Sequence, residues 1–386
     1  MNLAILSTYP PRECGIASFA KDLRDNLTLW GQDVKILAIT DNEASYSYPP
    51  EVVFELHEEN QEDFVASAEY VNATATDLVL LEHEYGIFGG CDGSYVLDFV
   101  ARLKKPFVLN THTVLSQPTV SQKSILMKLG QRAAAVICMT RRSAELLHEV
   151  YKIPLNKIYV IPHGVPVFRE KLRDRLKEAY GLVGRSIVTT FGFIGPGKGI
   201  EIGIKAIALL KEKYPDILYL IVGETHPKLK KREGEIYRES LEKLVDNLNL
   251  HDNVRFVNKY LTIEEIGDYL YMTDVYLTPY PGRHQAVSGT LSYAIGCGRA
   301  IVSTPYDYSL EVLGNGRGLV ASQADSEELA CLIDRILKDP ALKSQLEKKA
   351  GKLGKTMTWP QVAKSYVEVI EGLLQSNLNR RAVKDV

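Results

Sequence analysis

IVTTFGFIGPGKGIEIGIKAIALLKEKYPDILYLIVG, residues 187–223, decides the fold. It opens on a short run rich in Val, Ile and Thr. Four glycines follow, at 192, 195, 197 and 199, with Lys198 among them. Ile202, Ala206, Leu209 and Leu210 then recur at helical spacing, and a second apolar run, ILYLIVG, closes the stretch. Strand, loop, helix and strand in this order make a βαβ unit, whose two strands lie parallel. Neither run alternates polar with apolar residues, which suits strands buried on both faces.

The same alternation extends in both directions. The first half has runs at 3–7, 34–39, 52–56, 78–82, 107–110, 135–139 and 158–161, and the second adds 254–258, 275–279 and 300–304. Helical spacing fills the intervals: Ile16, Phe19, Leu23, Leu27 and Trp30 are one example. Pro162, Gly164 and Pro166 interrupt the pattern, and the charged segment FREKLRDRLKEAYG follows. The fold class is therefore α/β, with two Rossmann-like doubly wound domains facing across a cleft. The expected boundaries are 1–165, 166–360, and a last helix at 361–386 that crosses back to the first domain.

With 386 residues, two domains are expected and need no disulfide or metal staple. There are 46 basic against 48 acidic residues, a net charge of −2, so no nucleic-acid partner is indicated. The five cysteines, at 14, 91, 138, 297 and 331, are odd in number and match no zinc spacing. Cys138, Cys297 and Cys331 sit among apolar residues and read as core. A reduced, cytoplasmic compartment is the simplest expectation. No eighteen-residue window is apolar and charge-free enough to span a bilayer, which leaves peripheral membrane contact as the only membrane association expected.

Four loops carry chemistry. Tyr9–Ala17 joins the first strand to the first helix, with Gly15 letting a ligand approach the helix N-terminus. It lacks G-x-G-x-x-G, which disfavours a dinucleotide. Phe191–Ile200 offers backbone N–H groups and the Lys198 ammonium to a phosphate, yet Gly199 stands where a Walker A loop has a hydroxyl. Tyr280–Leu291 follows the strand VYLTP, and Ser288 or Thr290 could cap the helix after it. Glu82-His83-Glu84-Tyr85 ends the strand LVLLE, and His112 ends FVLN at the equivalent place. There is no D-x-D metal pair and no nucleophile elbow. No metal site is expected.

These loops, in this order, resemble the retaining glycosyltransferases of family 4, with the two-domain GT-B fold. The resemblance rests on Gly15-Ile16-Ala17, on Val160-Ile161-Pro162-His163-Gly164-Val165, on Pro196-Gly197-Lys198-Gly199 and on Ala294-Ile295-Gly296-Cys297-Gly298-Arg299-Ala300-Ile301-Val302. It implies that Gly15, Ile16, Gly192, Gly197 and Lys198 hold the donor diphosphate and that His112 meets the donor sugar. Asn258 and Tyr260 would lie at the base. The acceptor, a sugar or glycan, would lie near Glu82, His83, Glu84 and Tyr85.

The chain departs from the family pattern in two places. Phe193-Ile194-Gly195 stands where the family has an arginine, and Gln285 and Tyr293 occupy the positions of its two glutamates eight apart. Gln285 can still bond a sugar hydroxyl, whereas Tyr293 has no carboxylate for a ribose. Ser288, Gly289 and Thr290 could compensate at the phosphates. The resemblance implies a metal-independent transfer of a hexose from a UDP- or GDP-sugar to a hydroxyl, with retention. No cofactor is implied, since the nucleotide-sugar is a substrate, and His112, Lys198 and Gln285 would carry the chemistry. A nucleotide-sugar-binding protein without catalysis, an epimerase and a retaining phosphorylase remain alternatives.

Overall fold

The computed structural model describes residues 1–41 and 46–382. The chain divides into two compact units, Met1–Gly164 with Trp359–Val386, and Val165–Thr358. The division falls within two residues of the boundaries at 165 and 360 read from the sequence. The end of the last segment, 383–386, lies outside the described residues.

The first unit contains β1 (Asn2–Ser7), β2 (Asp33–Thr40), β3 (Val52–His57), β4 (Leu78–His83), β5 (Phe107–Thr111), β6 (Ala135–Cys138) and β7 (Ile158–Val160). They form one sheet in the order β3-β2-β1-β4-β5-β6-β7, every pairing parallel. The chain winds outward from β1 to β3, then returns to place β4 beside β1. Loops leaving the C-terminal ends of β1 and β4 diverge there and leave a crevice, the place where open α/β sheets bind ligands.

The second unit contains β8 (Ser186–Phe191), β9 (Ile217–Val222), β10 (Val254–Val257), β11 (Val275–Thr278), β12 (Ile301–Ser303) and β13 (Leu319–Val320). Its sheet, ordered β10-β9-β8-β11-β12-β13, is also parallel throughout and has its switch between β8 and β11. Every apolar run read from the sequence coincides with a strand. Only β13 was missed, because two residues are too short to show a period.

Three side chains lie differently from their sequence reading. Cys331 is exposed, because the helix Ser326–Lys338 turns Leu329, Ala330, Leu332, Ile333 and Ile336 inward and residue 331 outward. Leu209 is 55% exposed: the buried face of the helix Ile200–Leu210 is Ile200, Gly203, Ile204, Ala206, Ile207 and Leu210. Trp30 ends the first helix half-exposed, and its indole N–H donates to the Pro360 carbonyl at 2.9 Å.

The last helix, Trp359–Ala382, packs on the helix Gly15–Leu29 of the first unit. Its Trp359 ring meets Phe19 edge-on at 4.9 Å, and Tyr366 and Ile370 are buried. In the second unit small residues bring two helices backbone to backbone. A Cβ on Gly354 would stand 2.5 Å from the Ile295 carbonyl oxygen and 2.7 Å from the Gly296 Cα. Among the described residues no helix is long and apolar enough to cross a membrane.

Candidate active site

The candidate residues fall on both units, most of them at the two switch points, with His112 after β5 and Asn258 and Tyr260 after the edge strand β10. In the first unit, Cys14 caps the helix Gly15–Leu29: its sulfur accepts from the Ala17 N–H at 3.3 Å and lies 3.1 Å from the Thr8 hydroxyl. Arg12, five residues past the strand's buried end, is itself buried on Glu58 at 2.8 Å and the Ile39 carbonyl at 3.1 Å. Its charge holds the loop and is not available to a ligand. A Cβ on Gly15 would meet nothing within 4 Å, so the space over this helix start is open. Ile16 leans on the apolar core, leaving its backbone N–H in the unsatisfied first turn.

The cluster ending β4 separates into different tasks. Glu82 has no exposed surface, and one of its oxygens accepts from Asn110 Nδ2 at 2.6 Å and from His112 Nε2 at 2.7 Å. His83 is also buried, and neither ring nitrogen has a hydrogen-bond partner. Burial, with His112 adding repulsion, pushes its imidazole down to about 3. It is therefore neutral at pH 7. Its ring packs edge-on against Tyr85 at 4.8 Å. Glu84 is half-buried, accepting from the Thr113 hydroxyl at 2.6 Å and the Tyr85 N–H at 3.0 Å. Of the four residues read as acceptor-side, Glu82 and His83 thus have no surface to offer, and Tyr85 is largely buried with its hydroxyl on the Gln122 carbonyl. Only Glu84 retains partial access.

The imidazole of His112 lies edge-on to Phe19 at 4.7 Å. Phe19 also packs against His163, whose Nδ1 is 2.7 Å from the Gly164 carbonyl oxygen. Burial holds His163 down at about 4, so it too is neutral.

In the second unit, Lys198 ends the short turn Pro196–Lys198 after β8. Its ammonium donates to the Tyr280 hydroxyl at 2.9 Å and sits 4.5 Å from that ring's centroid. The Tyr280 oxygen is 2.9 Å from Thr290 Oγ1 and 3.4 Å from Ser288 Oγ, and those two hydroxyls are 3.2 Å apart. Burial pushes the Tyr280 phenol up, but the Lys198 ammonium and the two hydroxyls outweigh it, leaving the phenol below its ordinary value. Ser288 caps the helix Gly289–Gly296, accepting from the Leu291 N–H at 3.3 Å. A Cβ on Gly192 would stand 3.0 Å from the Thr290 methyl, at a φ of +119°. Glycine there lets the two loops converge.

One cation and three hydroxyls thus gather at the start of a helix, an arrangement suited to phosphate oxygens. Tyr280 was missed as a member of this group. Its signal was a polar residue just past the end of a buried strand.

The other predicted donor residues are not gathered in this way. The Gln285 side-chain amide donates to the Val287 carbonyl at 3.1 Å, within its own loop. Tyr293 stacks on Phe191 at 6.0 Å and meets Phe168 edge-on at 5.7 Å, so its ring belongs to an aromatic cluster. Asn258 and Tyr260 are exposed after β10, Tyr260 with its ring 5.8 Å from Phe193. Among the described residues no three His, Cys, Asp or Glu side chains group as metal ligands would.

Residues 15–169 match the model described as Glycosyltransferase Family 4, and residues 173–353 the model described as glycosyl transferases group 1. Alpha-D-kanosaminyltransferase of Streptomyces kanamyceticus is 26% identical over 297 residues, 71% of this chain and 74% of that enzyme. The GDP-mannose-dependent alpha-(1-6)-phosphatidylinositol monomannoside mannosyltransferase of Mycolicibacterium smegmatis is 24% identical over 228 residues, 56% of either chain. Among solved structures, sucrose-phosphate synthase from Thermosynechococcus elongatus has a TM-score of 0.79 at 19% identity, covering 97% of this chain and 100% of its own. HepE of Anabaena in complex with UDP-glucose has a TM-score of 0.76 at 14% identity, covering 96% and 100%. With one model matching each unit and transferases recurring along its length, the chain belongs to the group 1, family 4 glycosyltransferases and has their GT-B type of fold.

Proposed function

We propose that this glycosyltransferase moves a hexose from a UDP- or GDP-sugar to a hydroxyl of a sugar or glycan, with retention and without a metal ion. The observation that carries the reading is the Lys198 ammonium held on Tyr280 beside Ser288 and Thr290, where a helix begins. Transfer requires a diphosphate to leave. Preorganised donors aimed at its developing charge stabilise that step, each typically contributing about 3 kcal/mol. Both bases occur among the similar proteins: one relative is named for its dependence on GDP-mannose, and one solved neighbour holds UDP-glucose.

Retention by double displacement needs a nucleophile on the sugar's far face. The candidate position carries Gln285, an amide, with its nitrogen occupied by the Val287 carbonyl. The acceptor hydroxyl therefore enters on the face from which the diphosphate leaves, and the departing phosphate oxygen takes its proton. His112 contributes a hydrogen bond to the sugar. The test is turnover with UDP- and GDP-sugars and a panel of sugar acceptors, followed by proton NMR of the first product formed. Retention of the donor's anomeric configuration is expected, and an inverted product overturns the mechanism. Donor binding with no transfer to any acceptor would leave a binding protein.

Turnover is also expected to persist in EDTA, because Lys198 and backbone N–H groups supply the positive charge that a divalent ion would supply elsewhere. Full loss in the chelator, restored by Mg²⁺ or Mn²⁺, defeats this.

A further inference from the structure

We infer that Glu82 is a positioning residue for His112, holding the imidazole in one tautomer and one orientation. This rests on the proposed transfer only for what His112 then does; the dyad itself stands on geometry.

β4 and β5 pair in register with Glu82 opposite Asn110 and His83 opposite Thr111. Glu82 and Asn110 therefore project side by side from one face of the sheet. The chain turns just past β5, where the His112 N–H donates to the His83 carbonyl at 3.0 Å. That bond continues the β4–β5 ladder, so His112, two residues past Asn110, keeps to the same face, and its Nε2 lies 2.7 Å from Glu82 Oε2 on the neighbouring strand. Asn110 Nδ2 donates to the same oxygen at 2.6 Å, which fixes the carboxylate plane. Phe19, edge-on to the ring at 4.7 Å, closes one side.

Burying a carboxylate completely is costly unless donors meet it. Glu82 has no exposed surface, and its other oxygen has no hydrogen-bond partner. The two donors on Oε2 are what keep it in place. A group held at such cost, on the strand end where ligands bind, is not explained by packing: a leucine would fill the position more favourably.

A carboxylate can only accept from a ring nitrogen, so His112 Nε2 carries a proton. Nδ1 is the nitrogen left over for a ligand. In the neutral ring it accepts, and the buried negative charge on the far side strengthens it as an acceptor from a sugar hydroxyl. A carboxylate that sets tautomer and orientation acts in this way on catalytic imidazoles in general. Glu82 itself never touches the sugar. This replaces its reading as an acceptor contact, which its burial does not allow.

The test has a spectroscopic and a kinetic arm, both on the full chain. Side-chain nitrogen NMR of histidine-labelled protein, with His112 assigned by its loss in His112→Ala, reads the tautomer without any turnover. The expected result is a single tautomer protonated at Nε2. In Glu82→Leu, provided that it folds, the two tautomers should interconvert. Glu82→Gln keeps the shape and one acceptor oxygen but removes the charge. It should retain the tautomer and lower kcat about tenfold, as loss of a charge-assisted bond does, with donor KM within about threefold of wild type. A wild-type ring protonated at Nδ1, or sampling both tautomers, overturns the inference whether or not the protein is a transferase. So does Glu82→Gln with unchanged kcat in a protein where His112→Ala is impaired. Should no donor turn over, the proposed function fails while the NMR arm still decides the dyad.

Discussion

Lys198→Ala is expected to lower kcat/KM about a hundredfold, the scale observed when one charge-stabilising donor is removed from a transition state. Folding should be unaffected. The side chain is half-buried, and the bond given by its ammonium is to Tyr280 OH, a group that Thr290 and Ser288 also hold. Tyr280 keeps its stacking on Tyr306 at 5.0 Å without the lysine. The loss should appear mainly in kcat, since the charge on the leaving diphosphate grows as the glycosidic bond breaks. A loss confined to KM would assign the lysine to ground-state binding, and near-normal turnover by a mutant with an unchanged melting curve would reduce it to a turn residue. Residues 191–197 contain no arginine or lysine, so no neighbouring cation before Lys198 in that loop is available to cover its absence.

Gly199→Ala is expected to damage both stability and turnover. Gly199 sits at φ +58°, and a Cβ there would lie 2.1 Å from the Pro279 carbonyl oxygen and 3.0 Å from Pro281 Cδ. No rotamer relieves a clash between Cβ and backbone, so one of the two loops must move. Inserting a methyl into a filled site costs about 1–3 kcal/mol, sometimes more. For a unit of this size each kcal/mol corresponds to roughly 2–4 °C in Tm. Either movement separates the groups that matter: Lys198 is the residue before Gly199, and Tyr280 stands between Pro279 and Pro281. Calorimetry and turnover should therefore fall together. Gly197→Ala, where a Cβ meets nothing within 4 Å, should leave Tm unchanged. A Gly199→Ala protein that melts like wild type would show that the two loops are slack and that the phosphate groups are not preorganised.

The sheets were legible in the sequence because parallel strands buried on both faces leave continuous apolar runs, as in residues 217–223, and glycine-rich breaks mark where they end. The doubly wound α/β fold class followed from that order of elements, whereas both switch points came only from the strand order of the sheets. The loop holding Lys198 was legible in the sequence, since glycines and a cation between a strand and a helix suit few other purposes. β13 was lost because Leu319–Val320 is too short to carry a pattern. Cys331 was misread because an apolar neighbourhood along the chain does not say which way a helix turns a given residue.

What tertiary structure alone decided is which groups meet. Tyr280 reaches Lys198 across 82 positions of sequence, and Glu82 reaches His112 across 30. Burial was decided in the same way. Burial drives the phenol of Tyr366 in the last helix upward, and Glu82 on the first sheet adds to the shift, though 284 positions separate the two in the numbering. A glutamate beside a histidine in the sequence reads as an exposed polar cluster. Only the parallel pairing of β4 with β5 turns it into a buried carboxylate holding the histidine of the next strand, because hydrogen-bond partners in a parallel sheet are set by register between strands and not by neighbours along one.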